Sequence, residues 1–572
     1  MVVVAATLYA VATAVTTAAF IGDAPDYAQS IHAQFLAGDC FFLEFGHLLW
    51  RPSGYGLTVV TGGWAALQAS TVPWLPVLAR LDALVWMAGL VAVVALAAWL
   101  HRVTGSATAA LSGVAVVIFA KVFLNHAQTG NSYIPALACF ALALWVAGVG
   151  ATPARRGAAS VLAGVALAGS MLYWATFVLA APAALLLPLL LTDDRRATWR
   201  WIMLSAVTCG VVMLGVYAWA AAALGLHTVA ELRTWVAESG HGIAYGGVGR
   251  AAIGLARFLV DVGDYGTQVK RHLLPDPYNP VTRGDLFNFK LARFIGAYLF
   301  AFLCVALAWR APGGRRAIVF FSVSLVPVVM FGVAWQGGDM ERYLSALPAI
   351  ALVVARATQA PSVPRALRLA VVAGLVAIAV VNGSALSNPT VERARDASFR
   401  RLDDMPDAVP GRDLFVVSHW QDPLMAAVRN DPFDARVRAG LTLYPLLTPG
   451  AAGVERWREQ LEARVSDAWA RGAGVWVSRR LLAERPASDW GWNEGEDPRA
   501  SWRDLHRYFA GFTYDGDSAP VGREFLLLPA TPENRTRLAT AEASAEAAPA
   551  RAAGQRAPSC RRVKVFGAPS RA

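Results

Sequence analysis

Ionisable side chains are concentrated in one stretch of the sequence, Gly22–Arg51, which directly follows the first apolar run. Its candidate residues are Asp23, Asp26, Tyr27, Glu44, His47 and Arg51, and several aromatic residues stand between them. A loop that only joined two membrane helices would not need this chemistry. Cations can hold a phosphate while a carboxylate accepts or donates a proton, so these residue types suit a phosphorylated, lipid-borne substrate at a bilayer surface.

Asp23 is the strongest catalytic candidate, because it comes at once after the apolar run and is followed by Asp26 and Tyr27. The structural alternative is that Asp23 caps a surface helix, since aspartate is common at helix starts. Asp26 either shares the site with Asp23 or is a solvated residue one turn further on. Both acids are kept as catalytic candidates, with Tyr27 beside them as a substrate-binding candidate.

Glu44, His47 and Arg51 recur at steps of three and four, so they would share one face of a helix. Two interpretations stay open for this face: a phosphate or metal role, or an interfacial helix whose polar side meets water. Glu44 and His47 could bind a divalent metal, but two ligands without a third make a weak metal signal. No cofactor other than such a possible metal is indicated.

Further candidates come from two short loops that follow later in the chain. The candidate substrate-binding residues there are Lys121, His126, Glu341, Arg342 and Tyr343. A lysine near a span end is also explained by snorkelling, His126 by ordinary loop polarity, and an Arg–Tyr pair at a span start by membrane anchoring. What favours a function for the later pair is its expected location in the same compartment as Asp23.

The composition is that of a multispanning membrane protein, with 56% apolar and 16% charged residues among 572. The net charge of +11 comes from arginines, which lie in short loops between apolar runs, as the positive-inside rule expects. Nucleic-acid binding is therefore excluded. The five cysteines have no paired spacing typical of a metal site or a disulfide framework.

About 20 mainly apolar residues are needed to span a bilayer, and the sequence predicts about eleven transmembrane helices. They lie near 3–20, 76–100, 106–124, 133–150, 201–225, 292–309, 317–335, 343–356 and 367–386, with a helical hairpin over 157–191 that turns near Tyr173–Trp174. The first run lacks a basic start and a clear cleavage site, so it is predicted to be a retained helix. Arginine-rich loops on one side predict a cytoplasmic N-terminus in a plasma (inner) membrane and place Asp23 outside the cytoplasm.

After the last span the sequence becomes polar and predicts a small α/β domain outside the cytoplasm. Short strands are predicted within 413–420, 474–480 and 523–529, and an amphipathic helix within 454–471. The predicted domains are an all-α transmembrane domain over 1–386, the α/β domain over 387–540, and an Ala/Pro-rich disordered tail over 541–572.

Three motifs make the sequence resemble the glycosyltransferase C (GT-C) superfamily, the multispanning enzymes that use polyprenyl-phosphate sugars, with a likeness to bacterial families 39 and 83. The first is Asp23-Ala-Pro-Asp26-Tyr27 after the first span, similar to an Asp-Glu or Asp-x-x-x-Tyr signature. The second is the segment from His47 to Pro52, and the third is Glu341-Arg342-Tyr343-Leu with Pro348. The usual second acid is Ala24 here, and Asn131-Ser132-Tyr133 stands where members often carry an acid.

The resemblance implies a GT-C fold over residues 1–386 and a cell-envelope enzyme that transfers a hexosyl or pentosyl group. The donor would be a polyprenyl-phosphate sugar held in the lipid bilayer, and the acceptor a glycan, lipid or protein. Asp23 would be the base that activates the acceptor, while Arg342 and Lys121 would hold the donor phosphate. Two other hypotheses are a transporter or flippase of lipid-linked sugars, which would need ionisable residues at mid-membrane, and a structural assembly protein.

Overall fold

The structure is a computed structural model, and its placed residues form two compact units. It describes residues 1–36, 40–63, 72, 74–149, 156–191, 194–238, 247–262, 289–360, 364–403, 408–409, 411–417, 423–438, 441–445, 457–483, 505–515 and 524–538. Among them, the first unit ends at Val391 and the second begins at Glu392. The predicted tail 541–572 lies outside the described residues, and the division at 386/387 stays a prediction.

The first unit is helical throughout its described residues. Its α-helices are α1 (Val2–Ala14), α2 (Ala24–Leu36), α3 (Trp50–Val60), α4 (Leu75–Thr104), α5 (Ala107–Phe119), α6 (Lys121–His126), α7 (Tyr133–Val149), α8 (Arg156–Tyr173), α9 (Ala181–Leu191), α10 (Arg195–Leu224), α11 (Val229–Glu238), α12 (Val248–Leu259), α13 (Phe289–Arg310), α14 (Gly314–Ala334), α15 (Leu347–Ala357) and α16 (Arg365–Ala385). Short 3-10 helices cover Cys40–Leu43, Phe45–His47, Ala175–Leu179 and Met340–Ala346.

Each apolar segment predicted to span the membrane contains helix, and six helices are long and apolar enough to cross a bilayer. These six are Leu75–Thr104, Arg156–Tyr173, Arg196–Leu224, Leu291–Arg310, Gly314–Ala334 and Arg365–Ala385. The helix break predicted near Tyr173–Trp174 is present, since α8 ends at Tyr173 and Trp174 is extended, while the hairpin itself stays a prediction. The protein is thus a multispanning helical protein, while the number of eleven spans stays a prediction.

Two predicted spans are interrupted in the structure. The segment 106–124 breaks at Ala120, whose ψ of 132° separates α5 from α6. The segment 343–356 begins as the 3-10 helix Met340–Ala346 before α15 starts. The second break is marked by Pro348 in the first turn of α15, a position that proline favours. At both breaks, neighbouring side chains contact residues distant in sequence, as described below.

Local signals in the sequence explain where several helices begin and end. Ser106 caps α5 by accepting a hydrogen bond from the Ala109 amide at 3.3 Å, and Asp194 caps α10 by accepting one from Ala197 at 3.1 Å. Gly105 ends α4 with φ +68°, a conformation that favours glycine. The packing places α7 against both α4 and α8, and α8 also packs against α10. In addition, α15 packs against α5, α13 and α14.

The second unit is an α/β sheet layer with helices on both faces. Its elements are α17 (Asn388–Asp403), β1 (Leu414–Val417), α18 (Pro423–Asn430), α19 (Ala435–Arg438), β2 (Thr442–Pro445), α20 (Trp457–Ala470), β3 (Val475–Ser478) and β4 (Phe525–Leu527). The strand order is β2-β1-β3-β4, parallel except for β3 with β4. Leu414 and Val416 face one apolar cluster and Phe415 and Val417 the other, so both sheet faces are buried.

Candidate active site

The first candidate acid lies at a sharp turn between α1 and α2. Gly22 has φ +59°, which only glycine adopts readily, and Asp23 is the last residue before α2. Asn131 donates a hydrogen bond from Nδ2 to the carbonyl of Ile21 at 2.9 Å, so the loop between α6 and α7 holds this turn. Asp23 thus occupies the position of a helix cap beside another loop, and both sequence interpretations of it remain compatible with the structure.

Asn125 strengthens the same connection between loops. Its Oδ1 accepts hydrogen bonds from the amides of Ala19 and Phe20 at 3.0 and 3.2 Å, and its Nδ2 donates to the Phe20 carbonyl at 2.6 Å. A side chain of α6 therefore forms hydrogen bonds with the backbone groups of Ala19 and Phe20, in the connection between α1 and α2. Asn125 thus has a structural role in connecting these two parts of the chain.

Asp23 and Arg342 interact electrostatically although they stand at opposite ends of the first unit's sequence. Their charges interact, and α7 packs against the 3-10 helix that carries Arg342. Burial lowers the pKa of Arg342, but the carboxylates of Glu341, Asp339 and Asp23 outweigh this and leave it raised. The guanidinium is therefore firmly cationic and also donates a hydrogen bond to Gln336.

Glu341 is a carboxyl group with an altered proton affinity next to this arginine. Burial, reinforced by the Asp339 carboxylate, raises the pKa of Glu341 to about 7. Such a group exchanges its proton near neutral pH, which is the range suited to acid or base work. The segment from Asp339 to Arg342 thus supplies one cation and one carboxyl of adjustable charge.

Tyr27 and Arg51 form an enclosed pair beside Asp23. The Arg51 guanidinium carbon lies 4.8 Å from the centre of the Tyr27 ring, and Arg51 also forms a buried ion pair with Glu44. Burial, with the carboxylates of Asp23 and Glu44, raises the pKa of Tyr27 far above its ordinary value. Within the described residues the Tyr27 hydroxyl has no hydrogen-bond partner.

The predicted helical face of Glu44, His47 and Arg51 is wrong in its geometry. Glu44 is extended (ψ 133°), His47 ends a 3-10 helix and Arg51 lies in the first turn of α3. Glu44 and Arg51 still meet, because the chain bends between them. The helical spacing alone could not reveal this, since a pair seven residues apart also meets across a bend.

His47 is oriented by hydrogen bonds rather than by a metal-like cluster. Its Nδ1 lies 2.7 Å from the Ser132 hydroxyl and 3.3 Å from the Tyr173 carbonyl. Glu44 is engaged with Arg51 instead of facing the same point. Over the described ranges there is no group of three or more His, Cys, Asp or Glu side chains placed to hold an ion, so no metal step is derived for this site.

Lys121 belongs to a second, buried cluster of charges. It pairs with Asp261 just beyond α12, and Arg293 of α13 lies 3.2 Å from the other oxygen of that carboxylate. The backbone amide of Asp261 donates to Asn382 Oδ1 at 2.7 Å, which ties the cluster to α16. Asp261 and Arg293 were missed in the sequence, although a charged residue flanked by apolar residues, as in FLVDVG, is a recognisable signal.

Arg257 stands between the two clusters. It is buried and donates from Nη1 to the Gly338 carbonyl at 2.8 Å, and its charge acts on both Glu341 and Lys121. Arg257 therefore connects the Lys121 cluster electrostatically with the segment that carries Glu341. The sequence offered no reason to single out Arg257.

The remaining candidates occupy contrasting positions. His126 is fully buried, and burial lowers its pKa to about 3, so it is neutral. The Tyr343 hydroxyl donates to the backbone carbonyls of Gly337 (2.8 Å) or Ala251 (3.1 Å). Asp26 is exposed in the first turn of α2. Their assigned roles in substrate binding and catalysis stay predictions.

The sequence matches no family model and no curated protein. Several solved structures are similar in fold. ArnT from Cupriavidus metallidurans, bound to undecaprenyl phosphate, has a TM-score of 0.45 at 14% identity, over 85% of this chain and 94% of that one. The oligosaccharyltransferase of Archaeoglobus fulgidus has 0.44 at 12%, over 92% and 76%.

A third similar structure is the arabinofuranosyltransferase AftD from Mycobacteria, with a TM-score of 0.41 at 15% identity, over 93% of this chain and 40% of that one. Two of the three are named as enzymes that transfer glycosyl groups, an oligosaccharyltransferase and an arabinofuranosyltransferase. TM-scores below 0.5 describe a distant likeness, and the function proposed below depends on the residues of the site.

Proposed function

We propose that this protein is an integral membrane glycosyltransferase that moves a sugar from a polyprenyl-phosphate donor to an acceptor hydroxyl outside the cytoplasm. The observation that carries the proposal is that the Asp23 carboxylate and the Arg342 cation, far apart in sequence, interact electrostatically in the fold. A base and an anion-binding group are the two parts that displacement at an anomeric carbon needs.

Asp23 is proposed to act on the acceptor. Its carboxylate takes the proton of the acceptor hydroxyl while that oxygen attacks the anomeric carbon from the face opposite the phosphate. The bond from carbon to the phosphate oxygen breaks, and its electron pair stays on the phosphate. Attack from the opposite face inverts the configuration of the anomeric carbon.

Arg342 is proposed to hold the departing phosphate. Its fixed positive charge and fork of N–H groups match a phosphate and stabilise the negative charge that develops as the sugar leaves. Lys121, which forms an ion pair with Asp261, supplies a second cation. Arg257, bonded to the Gly338 carbonyl, lies between Lys121 and the segment of Arg342. The apolar helices of the first unit would contact the lipid tail, and the acceptor is proposed to be a glycan, lipid or protein.

The test is to incubate the protein in lipid nanodiscs with a panel of polyprenyl-phosphate hexoses and pentoses. Released polyprenyl phosphate is measured by mass spectrometry. Asp23→Asn is expected to lower the rate at least 100-fold, because loss of a general base costs about 10²–10⁴. The matched control is Asp467→Asn, an exposed aspartate of the second unit, which should keep the wild-type rate. Full activity in Asp23→Asn would remove this residue from the mechanism.

A transporter or flippase of lipid-linked sugars is the second candidate. The buried Lys121–Asp261–Arg293 cluster favours it, because ionisable groups enclosed between apolar helices often mark transport pathways. The same nanodisc preparation can be compared with liposomes carrying a labelled lipid-linked sugar. Movement of the label between leaflets without any glycosidic bond formed would replace the enzyme proposal with this one.

A further inference from the structure

Tyr133 lies between the two segments that carry the proposed base and the proposed phosphate-binding cation. It is the first residue of α7, and α7 packs against the 3-10 helix Met340–Ala346. Two residues earlier, Asn131 is bonded to the Ile21 carbonyl in the turn that leads into Asp23. The backbone therefore fixes Tyr133 from both sides of the site.

The Tyr133 ring is held in one orientation by three neighbouring rings. The ring centres of Trp174, His126 and His47 lie 4.6, 5.1 and 6.3 Å from that of Tyr133. Trp174 follows α8, His126 ends α6 and His47 precedes α3. Elements far apart in sequence therefore surround the ring of Tyr133. With the ring fixed in this way, its hydroxyl has a defined direction and little freedom to leave it.

The hydroxyl of Tyr133 lies within the field of the candidate catalytic groups. The charges of Asp23, Glu341 and Arg342 all act on it. Two other buried tyrosines of this unit donate their hydroxyls to backbone carbonyls, Tyr9 to Trp86 at 2.9 Å and Tyr343 to Gly337 at 2.8 Å. For Tyr133, no hydrogen-bond partner occurs among the residues that the structure describes. A phenol loses its proton only near pH 10, so this group is a neutral donor at neutral pH.

We propose that Tyr133 is a further catalytic residue, whose hydroxyl donates a hydrogen bond to the phosphate oxygen that leaves the sugar. This rests on the proposed function. The donor phosphodiester carries one negative charge. Cleavage leaves the electron pair of the broken bond on the leaving oxygen, so the phosphate gains a second negative charge. Tyr133 keeps its proton throughout, while the acceptor proton goes to Asp23. A donor aimed at charge that appears only in the transition state raises kcat more than it tightens binding.

The test compares Tyr133→Phe with Tyr9→Phe in nanodiscs. Phenylalanine keeps the ring contacts of Tyr133 and removes only the hydroxyl, so thermal stability should be unchanged. The expected result is a fall in kcat of about 100-fold, as for loss of one oxyanion donor, with KM for the donor changed less than threefold. Tyr9→Phe removes a hydroxyl that serves the Trp86 carbonyl and should keep the wild-type kcat even if its Tm falls.

A second measurement uses undecaprenyl phosphate alone, added to each variant while the melting temperature is followed. The product carries the full phosphate charge, so Tyr133→Phe should bind it at least tenfold more weakly than wild type and Tyr9→Phe equally well. If the wild type releases polyprenyl phosphate and Tyr133→Phe does so at the same rate, this inference is wrong and the proposed function stands. If the wild type neither reacts with nor binds these lipids, both are overturned.

Discussion

Replacing Glu44 by Gln tests how the site's enclosed charges support the fold around Asp23. The side chains of Glu44 and Arg51 are 3% and 5% exposed, so the ion pair between them has almost no contact with water. Removing one partner of a buried pair leaves an uncompensated charge and costs about 3–5 kcal/mol. Glutamine can still accept one hydrogen bond from Arg51, and we therefore expect the lower end, about 3 kcal/mol.

The stacking of Arg51 on Tyr27 should survive this substitution, since the guanidinium stays charged 4.8 Å from the ring centre. Arg51→Met instead removes both contacts. In the double variant Glu44→Gln, Arg51→Met no charge is left buried, so its cost should be smaller than the sum of the two single costs by about 2 kcal/mol. This non-additivity separates a paired charge from two independently stabilising residues.

Thermal unfolding in lipid nanodiscs, followed by tryptophan fluorescence, measures the effect. At about 2 °C per kcal/mol for a large domain, Glu44→Gln should lower Tm by about 6 °C. The control is Asp467→Asn, which removes a pair with Arg471 at 3.1 Å whose side chains are 62% and 55% exposed. Such a pair contributes little, and its loss should shift Tm by less than 1 °C. An unchanged Tm in Glu44→Gln, or strictly additive single effects, would refute the reasoning.

Two further predictions concern other carboxyl groups. Burial raises the pKa of Glu341 to about 7, above an unfolded value of about 4.3, so its contribution to stability is complete below pH 4 and is lost as pH rises through 7. The difference in Tm between Glu341→Gln and wild type should therefore become more favourable to the variant from pH 5 to pH 8, and a difference independent of pH would contradict this. Asp413 accepts hydrogen bonds from Gly474 N and Trp476 Nε1, both at 3.0 Å. Asp413→Ala should therefore destabilise the second unit by about 2–4 kcal/mol, which limited proteolysis would detect as earlier cleavage. Unchanged protease resistance would contradict this prediction.

Much of the secondary structure could be predicted because its signals are local. Short windows of hydropathy and charge were enough to predict the helix break at Tyr173–Trp174 and the strands Leu414–Val417 and Val475–Ser478. Strand Thr442–Pro445 was missed, since four residues ending in proline give almost no periodicity to detect. It forms because Leu414 and its neighbours offer a parallel edge on which to pair.

The candidate site was predictable in its residue types but not in its pairings. The residues from Asp23 to Arg51 and the segment at Arg342 could be recognised as chemically unusual for membrane loops. Nothing in the sequence paired Lys121 with Asp261 or brought Tyr133 into the electrostatic range of Asp23. Those contacts depend on which helices pack together. The Coulomb energy between two charges depends on their distance in space, which their separation in the sequence does not give.

The sequence by itself determined that this is a multispanning helical protein with acids and cations in the loops between its spans, because hydropathy and charge act over short stretches of chain. Only the tertiary structure decided which charges meet. It enclosed Glu44 with Arg51, paired Lys121 with Asp261, and brought the charges of Asp23 and Arg342 into electrostatic range of Tyr133. The reason is that burial turns weak, screened charges into strongly interacting ones, and burial is a property of packed helices.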